Sequence, residues 1–463
     1  MDWSAYESYL ARLIDVYGAP GVGIAVAVNG AKVYSKGFGY RDREHGLPVT
    51  DDTVFGIGSN TKSFTAMAIL QLEEEGRLSV DDLVVKYLPE FRVGKAQAEH
   101  AITIHHFLTH TSGLPPITAL YNAMVRTMKG DPSVPELPEL KPIDTYEELM
   151  DFIANDDFQL VSAPGTRFSY SNEAYGLLGA IIERVSGSKY EEFITERILK
   201  PVGMVNSTFN LKTLPSSTPV TELYASKEEN GEERVFAAPG WWEAPAMSAA
   251  GFLRSTVDDM LLYLDLYRTG GLARSGERVL SSEGIARMMT PYIDVMEGYV
   301  YGYGLGITPN YHGVSIIGHS GGIKGVSANM AVIPERGITA ALHCNLGGLP
   351  SGLMLNGALN LLLGLPLETR RLAPADYDCP HERLPRYVGV FSSGDGTVKI
   401  FLADGRLQAE MEGKVFPLRP VAVNVFAYKL KEDEGVIRFL FNSRGQVYAF
   451  ESGGRFVRRV KDL

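Results

Sequence analysis

Strands at both ends of a long helical stretch constrain the fold of this chain more than any other feature. Residues 22–28 are apolar, Asn29-Gly30 is a strong hairpin turn, and residues 32–38 read as the return strand. From about 77 to 300 the periodicity is mostly helical, with long connections. Strands reappear only at 314–318, 326–333 and 338–343, and a helix follows over 351–363. An amphipathic helix over 3–17, stopped at Gly18 and Pro20, precedes them all. Segments so separated bury their apolar faces together if they join one antiparallel sheet. The expectation is an α/β (α+β) fold: that sheet, helices on its faces, and a helical domain inserted in the middle.

The composition shifts at about 366–385, where Pro366, Pro374, Pro380 and Pro385 mark a linker. Beyond it lie eight candidate strands, at 387–391, 397–403, 406–411, 414–420, 423–428, 436–442, 446–452 and 455–460. Turns such as Ala403-Asp404-Gly405, Glu412-Gly413 and Ser452-Gly453-Gly454 separate them, and Leu407/Ala409/Met411 and Ile437/Phe439/Phe441 alternate. Eight short sequential strands suggest an all-β, eight-stranded antiparallel up-and-down barrel, with an open sandwich as the alternative. The expected division is a first domain over 1–366, a linker over 367–385 and a β domain over 386–463. Residues 117–145 are proline-rich and poorly periodic, including Asp131 to Pro138, and inserted loops of that kind tend to line binding sites.

A net charge of −11, from 44 basic and 55 acidic residues in 463, argues against nucleic-acid binding. Cys344 and Cys379 are too few for a disulfide framework, and no Cys/His spacing resembles a zinc site, so neither metal nor cofactor is expected. The N-terminus lacks a basic n-region and a long apolar h-region, and no apolar run reaches spanning length. The expectation is a cytoplasmic protein off the membrane, with homo-oligomerisation left open.

Chemistry concentrates at Ser59-Asn60-Thr61-Lys62, where a glycine-containing turn enters a helix that should stop at Gly76. Residues three apart on a helix are neighbours, so Lys62 can take the proton of Ser59. Amides at a helix N-terminus favour the oxyanion formed after attack. S-x-x-K also arises by chance, so other segments must supply the rest of a site. Tyr170 and Asn172 precede a helix. The phenol could act as base and later as acid, and the amide could hold lysine and substrate, although a loop aromatic and a helix cap are the plainer reading. Residues 317–325 contain His319-Ser320-Gly321-Gly322 and read as a glycine-rich connection between two strands. Its edge could give the oxyanion a second N–H, and His319 could orient substrate or, when protonated, bind its carboxylate. The plainer reading is a hairpin connection with a surface histidine.

These three motifs, in this order, resemble the serine β-lactamase and penicillin-binding protein superfamily, closest to the class C-like branch that includes esterases, D-aminopeptidases and CubicO-type peptidases. Leu108 to Leu114, Ala250 to Thr256 and Tyr303-Gly304-Leu305-Gly306 add to the likeness, which covers roughly residues 4 to 365. The resemblance implies Ser59 as acylated nucleophile, Lys62 as its proton partner, Tyr170 as base and Asn172 as a substrate contact. It implies that His319-Ser320-Gly321 replaces the Lys-Thr-Gly strand motif, with an oxyanion hole from the amides of Ser59 and Gly322. Histidine where penicillin-recognising members carry lysine favours a peptidase, amidase or esterase over a β-lactamase. The implied substrates are small peptides, amides or esters, including D-amino-acid peptides, and a lipocalin-like C-terminal barrel would shape access or assembly. The alternatives are a carboxylesterase or β-lactamase of the same fold and a non-catalytic penicillin-binding-like ligand binder.

Two decoys remain. Gly318-His319-Ser320-Gly321-Gly322 matches the G-x-S-x-G elbow of α/β-hydrolases, but residues 326–334 read as strand where that motif needs a helix. His106 and His110 have i, i+4 spacing, but no Glu follows His106, and a helix leading into the Thr-Ser-Gly turn is the preferred reading.

Overall fold

A computed structural model of the chain describes residues 1–461 apart from 95–96, 135, 137–138, 230, 371–376, 394–395 and 412. Pro135, Leu137, Pro138, Pro374 and Glu412, used in the loop, linker and turn readings, lie outside the described residues. The chain forms two compact units. The larger comprises Met1–Thr109, Ala119–Asp156 and Asn172–Arg370; the smaller comprises His110–Thr118, Asp157–Ser171 and the described residues from 377 onward.

The larger unit opens with α1 (Ser4–Tyr17), β1 (Gly21–Val28), β2 (Ala31–Asp42) and β3 (Leu47–Pro48). Asn29 and Gly30 take φ of 50° and 78°, as a two-residue turn matched to the strand twist requires. From the inserted segment come α2 (Thr61–Glu74), α3 (Asn172–Ser186) and α4 (Val257–Thr269). The meander β4 (Ile293–Met296), β5 (Tyr299–Tyr301), β6 (Gly306–Tyr311), β7 (Val314–Ile323), β8 (Val326–Ile333) and β9 (Ile338–Cys344) follows, then α5 (Ser351–Leu363). The sheet order is β3-β2-β1-β9-β8-β7-β6-β5-β4, with antiparallel pairing throughout. The strands before and after the insertion therefore meet as neighbours, β1 against β9, with Val22 opposite Cys344 and Val28 opposite Ile338.

Burial on both faces explains why β1 is apolar throughout. On one face Val22, Ile24, Val26 and Leu342 form a core with Tyr6, Leu10 and Leu13 of α1 and Met354, Leu355 and Leu359 of α5. On the other face α4 packs across β1, β8 and β9. Gly357 lets α1 and α5 approach, since a Cβ there would stand 2.6 Å from the Tyr9 ring.

Four details differ from the sequence reading. The helical stretch gives way to strands before residue 300, at β4 and β5, which turn at Glu297-Gly298 with Gly298 at φ 72°. It also holds a hairpin, Tyr224–Glu229 with Glu232–Ala237. Residues Ala119–Met128 are helical within the proline-rich 117–145 segment, burying Ala119, Ala123, Met124 and Met128. Finally, His319 to Gly322 do not connect two strands but lie inside β7, and the turn falls at Lys324-Gly325. Consecutive glycines read as a turn in sequence; here they remain extended because another backbone packs against them.

In the smaller unit nine strands form one antiparallel, nearly closed, barrel-like sheet: β10 (Gly389–Ser393), β11 (Gly396–Ala403), β12 (Arg406–Met411), β13 (Lys414–Pro417), β14 (Arg419–Ala422), β15 (Val425–Leu430), β16 (Asp433–Phe441), β17 (Val447–Ser452) and β18 (Arg455–Lys461). The order is β13-β12-β11-β10-β18-β17-β16-β15-β14. The expected count of eight rises to nine because the strand read at 414–420 breaks at Leu418, whose N–H donates to Leu407 O at 2.9 Å. Consecutive strands β13 and β14 thus stand at opposite ends of the order, and the chain itself brings the sheet round. Leu407, Ala409, Ile437 and Phe439 point inward as their alternation implies, packed with Phe391, Phe426, Phe450 and Tyr387.

Candidate active site

Ser59 lies in a short 3-10 turn, Gly58–Asn60, that runs directly into α2. Thr61 Oγ1 donates to Gly58 O at 2.7 Å and Ser63 Oγ to Asn60 O at 2.9 Å, so local hydroxyls fix the turn. Ser59 stays half-exposed, while Lys62, one turn on, is fully buried. A part-exposed hydroxyl beside a buried amine is the arrangement that an activated serine nucleophile would need.

Lys62 Nζ donates to Ser59 Oγ at 3.2 Å, to Asn172 Oδ1 at 2.9 Å and to Ala250 O at 2.6 Å. Acceptors on this amine make its burial tolerable. The Tyr175 ring, one turn into α3, lies 5.4 Å from Nζ. The same side of α2 holds the 249–253 segment, because Thr65 Oγ1 donates to Ala249 O at 2.7 Å and Leu253 N donates to Thr61 Oγ1 at 3.2 Å.

Strand β7 meets the Ser59 turn through glycine. A Cβ on Gly321 would stand 1.9 Å from Ile57 O and 3.1 Å from Ser59 N, and one on Gly58 would stand 2.6 Å from Gly322 N. Pairing of β7 with β6 ends at Gly318, whereas pairing with β8 continues to Ile323. The expected edge is therefore local: β7 is an interior strand whose last half, 319–323, turns an unpaired side to the Ser59 turn. Ser320 is exposed in mid-strand, and the chain continues as strand rather than turning into a helix, so the elbow geometry is absent there.

His319 is 8% exposed. Its Nδ1 lies 2.5 Å from Ser320 O and so carries the hydrogen; Nε2 then accepts from Tyr301 OH at 2.9 Å. Burial, helped by the Lys62 charge, lowers its pKa to about 4. The protonated form expected to bind a carboxylate is therefore the disfavoured one, because a second cation beside Lys62 would be buried with it. The surface histidine of the plainer reading does not occur.

Tyr170 belongs to the smaller unit, where its N–H donates to Gly454 O at 3.3 Å. The larger unit brings together Ser59, Lys62, Asn172, His319, Gly321 and Gly322. Sequence reasoning missed Tyr301 and the Ala250 carbonyl. A carbonyl leaves no trace in residue type, and Tyr301 is separated from His319 by a hairpin. His106 serves its own helix, Ile104–Leu108, by accepting from Thr103 N at 3.2 Å in a capping box, and His110 lies beyond that helix at φ 55°.

A family model described as Beta-lactamase matches residues 7–363, and the chain belongs to that family of β-lactamase and penicillin-binding-protein-like serine hydrolases. It is 35% identical to protein flp of Staphylococcus aureus (strain MW2) over 241 residues, which is 52% of this chain and 44% of that protein. The chain thus matches less than half the length of that relative. Penicillin-binding protein 4 of Amycolatopsis lactamdurans is 29% identical over 351 residues, covering 75% of this chain and 86% of its own. Among solved structures, the octameric penicillin-binding protein homologue from Pyrococcus abyssi superimposes with a TM-score of 0.72 at 32% identity, over 99% of this chain and 100% of that one. Among the described residues no helix is long and apolar enough to cross a membrane.

Proposed function

We propose that the protein hydrolyses short peptides or amides, including D-amino-acid ones, through an acyl-enzyme on Ser59, with small esters as secondary substrates. The observation that carries this reading is the position of Lys62 Nζ, fully buried and shared among Ser59 Oγ, Asn172 Oδ1 and Ala250 O. Ser59 Oγ attacks the scissile carbonyl carbon and passes its proton to Tyr170 as base, with Lys62 as the proton partner that donates to Ser59 Oγ. The carbonyl oxygen becomes an oxyanion that accepts from the N–H groups of Ser59 and Gly322. Collapse breaks the C–N bond, and the amine leaves with the proton that Ser59 lost. Water then gives a proton to Tyr170 and attacks the ester carbonyl; the C–O bond to Ser59 breaks, Tyr170 returns that proton to Ser59 Oγ, and the acid leaves. Asn172 holds Lys62 and the substrate amide. His319, neutral and tied to Tyr301, offers no permanent charge to a carboxylate, which supports amides and esters over β-lactams. The octamer described for the Pyrococcus abyssi relative makes a homo-oligomer the assembly to look for by light scattering.

The test is turnover of D- and L-aminoacyl p-nitroanilides, p-nitrophenyl esters and nitrocefin by the parent, Ser59→Ala and Ser320→Ala proteins. Anilide and ester turnover should vanish with Ser59 and survive in Ser320→Ala, with nitrocefin slow. Nitrocefin as the preferred substrate would make the chain a β-lactamase. Binding without turnover would make it a ligand-binding protein.

A further inference from the structure

We propose that the C-terminal barrel supplies a positioning residue for the reaction: Arg455, at the β17–β18 turn, fixes Tyr170 and favours its deprotonated form. This rests on the reading of Tyr170 as the base. The two strands meet at a tight turn in which Ser452 pairs with Arg455, and Gly453 and Gly454 take φ of 56° and 76°. The turn grips the backbone of Tyr170 from two sides. Tyr170 N donates to Gly454 O at 3.3 Å, and Arg455 Nη1 donates to Tyr170 O at 3.3 Å. Gly454 is needed for this approach, since a Cβ there would stand 2.9 Å from the Phe168 ring. Further along, Arg167 pairs with Glu451 at 2.8 Å and Arg458 donates to Gln159 Oε1 at 2.6 Å, so the 157–171 segment is tied to the same two strands.

Among the described residues of this unit, His110 and Arg455 face the Tyr170 ring. The His110 ring lies 4.2 Å away at 32°, and the Arg455 guanidinium stands 4.6 Å over the ring centre. His110 Nδ1 accepts from Ser171 N at 3.1 Å, which places the ring in its neutral Nε2–H form. Glu451, the nearby carboxylate, is engaged by Arg167. Arg455 is thus the charge of this pair, and a cation on the face of a phenol attracts the phenolate more strongly than the phenol. The barrel would in this way act on the chemistry through Tyr170.

The experiment compares pH profiles of kcat/KM, on whichever p-nitroanilide the full-length protein turns over, for Arg455→Gln, Arg455→Lys, Gly454→Ala and Tyr170→Phe. Arg455→Gln should move the acid limb about one pH unit toward alkali, roughly a tenfold loss on the acid side, mainly in kcat. Arg455→Lys, which keeps a cation there, should return most of that shift. Gly454→Ala, which crowds Phe168 but keeps the charge in the chain, should shift the limb in the same direction and provides a second route if Arg455→Gln fails to fold. Superimposable limbs for Arg455→Gln and parent, or equal shifts for the Gln and Lys variants, would overturn the role of Arg455. Tyr170→Phe separates the two levels. Loss of turnover there with an unmoved Arg455→Gln limb defeats only this inference, whereas parental rate and limb in Tyr170→Phe defeat the base assignment itself.

Discussion

Three residues along one helical turn separate a half-exposed hydroxyl from a buried amine, and the difference in burial is what makes Ser59 and Lys62 a pair rather than two polar side chains. Replacing Lys62 by Met keeps volume and burial but removes the proposed proton partner, and kcat/KM should fall by at least about 1,000-fold in steady-state assays. This pair was legible in the sequence because i, i+3 spacing is local. Its stabilising shell was not: Ala250 contributes a carbonyl, and Tyr301 reaches His319 from another strand. His343 shows the same limit. It reads as part of an apolar strand and is fully buried against Phe55, with neither ring nitrogen hydrogen-bonded. Burial lowers its pKa to about 3 from the usual 6.5, so its contribution to stability is present above pH 6.5 and is lost as pH falls toward 3. Each pH unit in that window costs about 1.4 kcal/mol. Urea unfolding across pH should show a shallower acid decline in His343→Phe than in the parent.

At the scale of elements, the glycines of β7 set how closely a strand can lie against the Ser59 turn. Gly321→Ala places a methyl against Ile57 O and should cost at least about 100-fold in kcat/KM, because the proposed oxyanion donor at Gly322 would be displaced with it. The melting of the barrel should not change. Helix α4 offers a pH effect opposite in sign to that of His343. Asp259 is buried at its first turn, and burial raises its pKa to about 6 despite hydrogen bonds from Ser207 and Asn206. Its stabilising contribution is full below the unfolded value near 4 and fades as pH rises through 6, so Asp259→Asn should flatten the loss of stability between pH 4 and 6 in the same urea series. The sheet's central strands were legible because the Asn29-Gly30 turn and the apolar runs at 326–333 and 338–343 are local signals. The path of β7 through His319 to Gly322 was not, because glycine spacing alone cannot tell a turn from a strand that another backbone crowds. The break at Leu418 was hidden for a similar reason: strand propensity continues through it, and only the bond to Leu407 marks it.

For the whole molecule, boundaries drawn along the chain at 366 and 385 follow composition, but composition carries no record of segments recruited from elsewhere. The smaller unit takes His110–Thr118 and Asp157–Ser171 from the middle of the chain, and the β17–β18 turn holds Tyr170 within it. A chain ending at residue 370 keeps Ser59, Lys62 and Asn172 but loses every barrel partner of the 157–171 segment. Its kcat/KM should fall by at least about 100-fold, the scale of a lost general base, when measured beside the full chain. The most direct test of the account is the site of acylation. The intact protein, treated with a fluorophosphonate or a penicillin and digested, should give a single adduct by mass spectrometry on the peptide carrying Ser59, and none in Ser59→Ala. An adduct on Ser320, or on any residue other than Ser59, would contradict it.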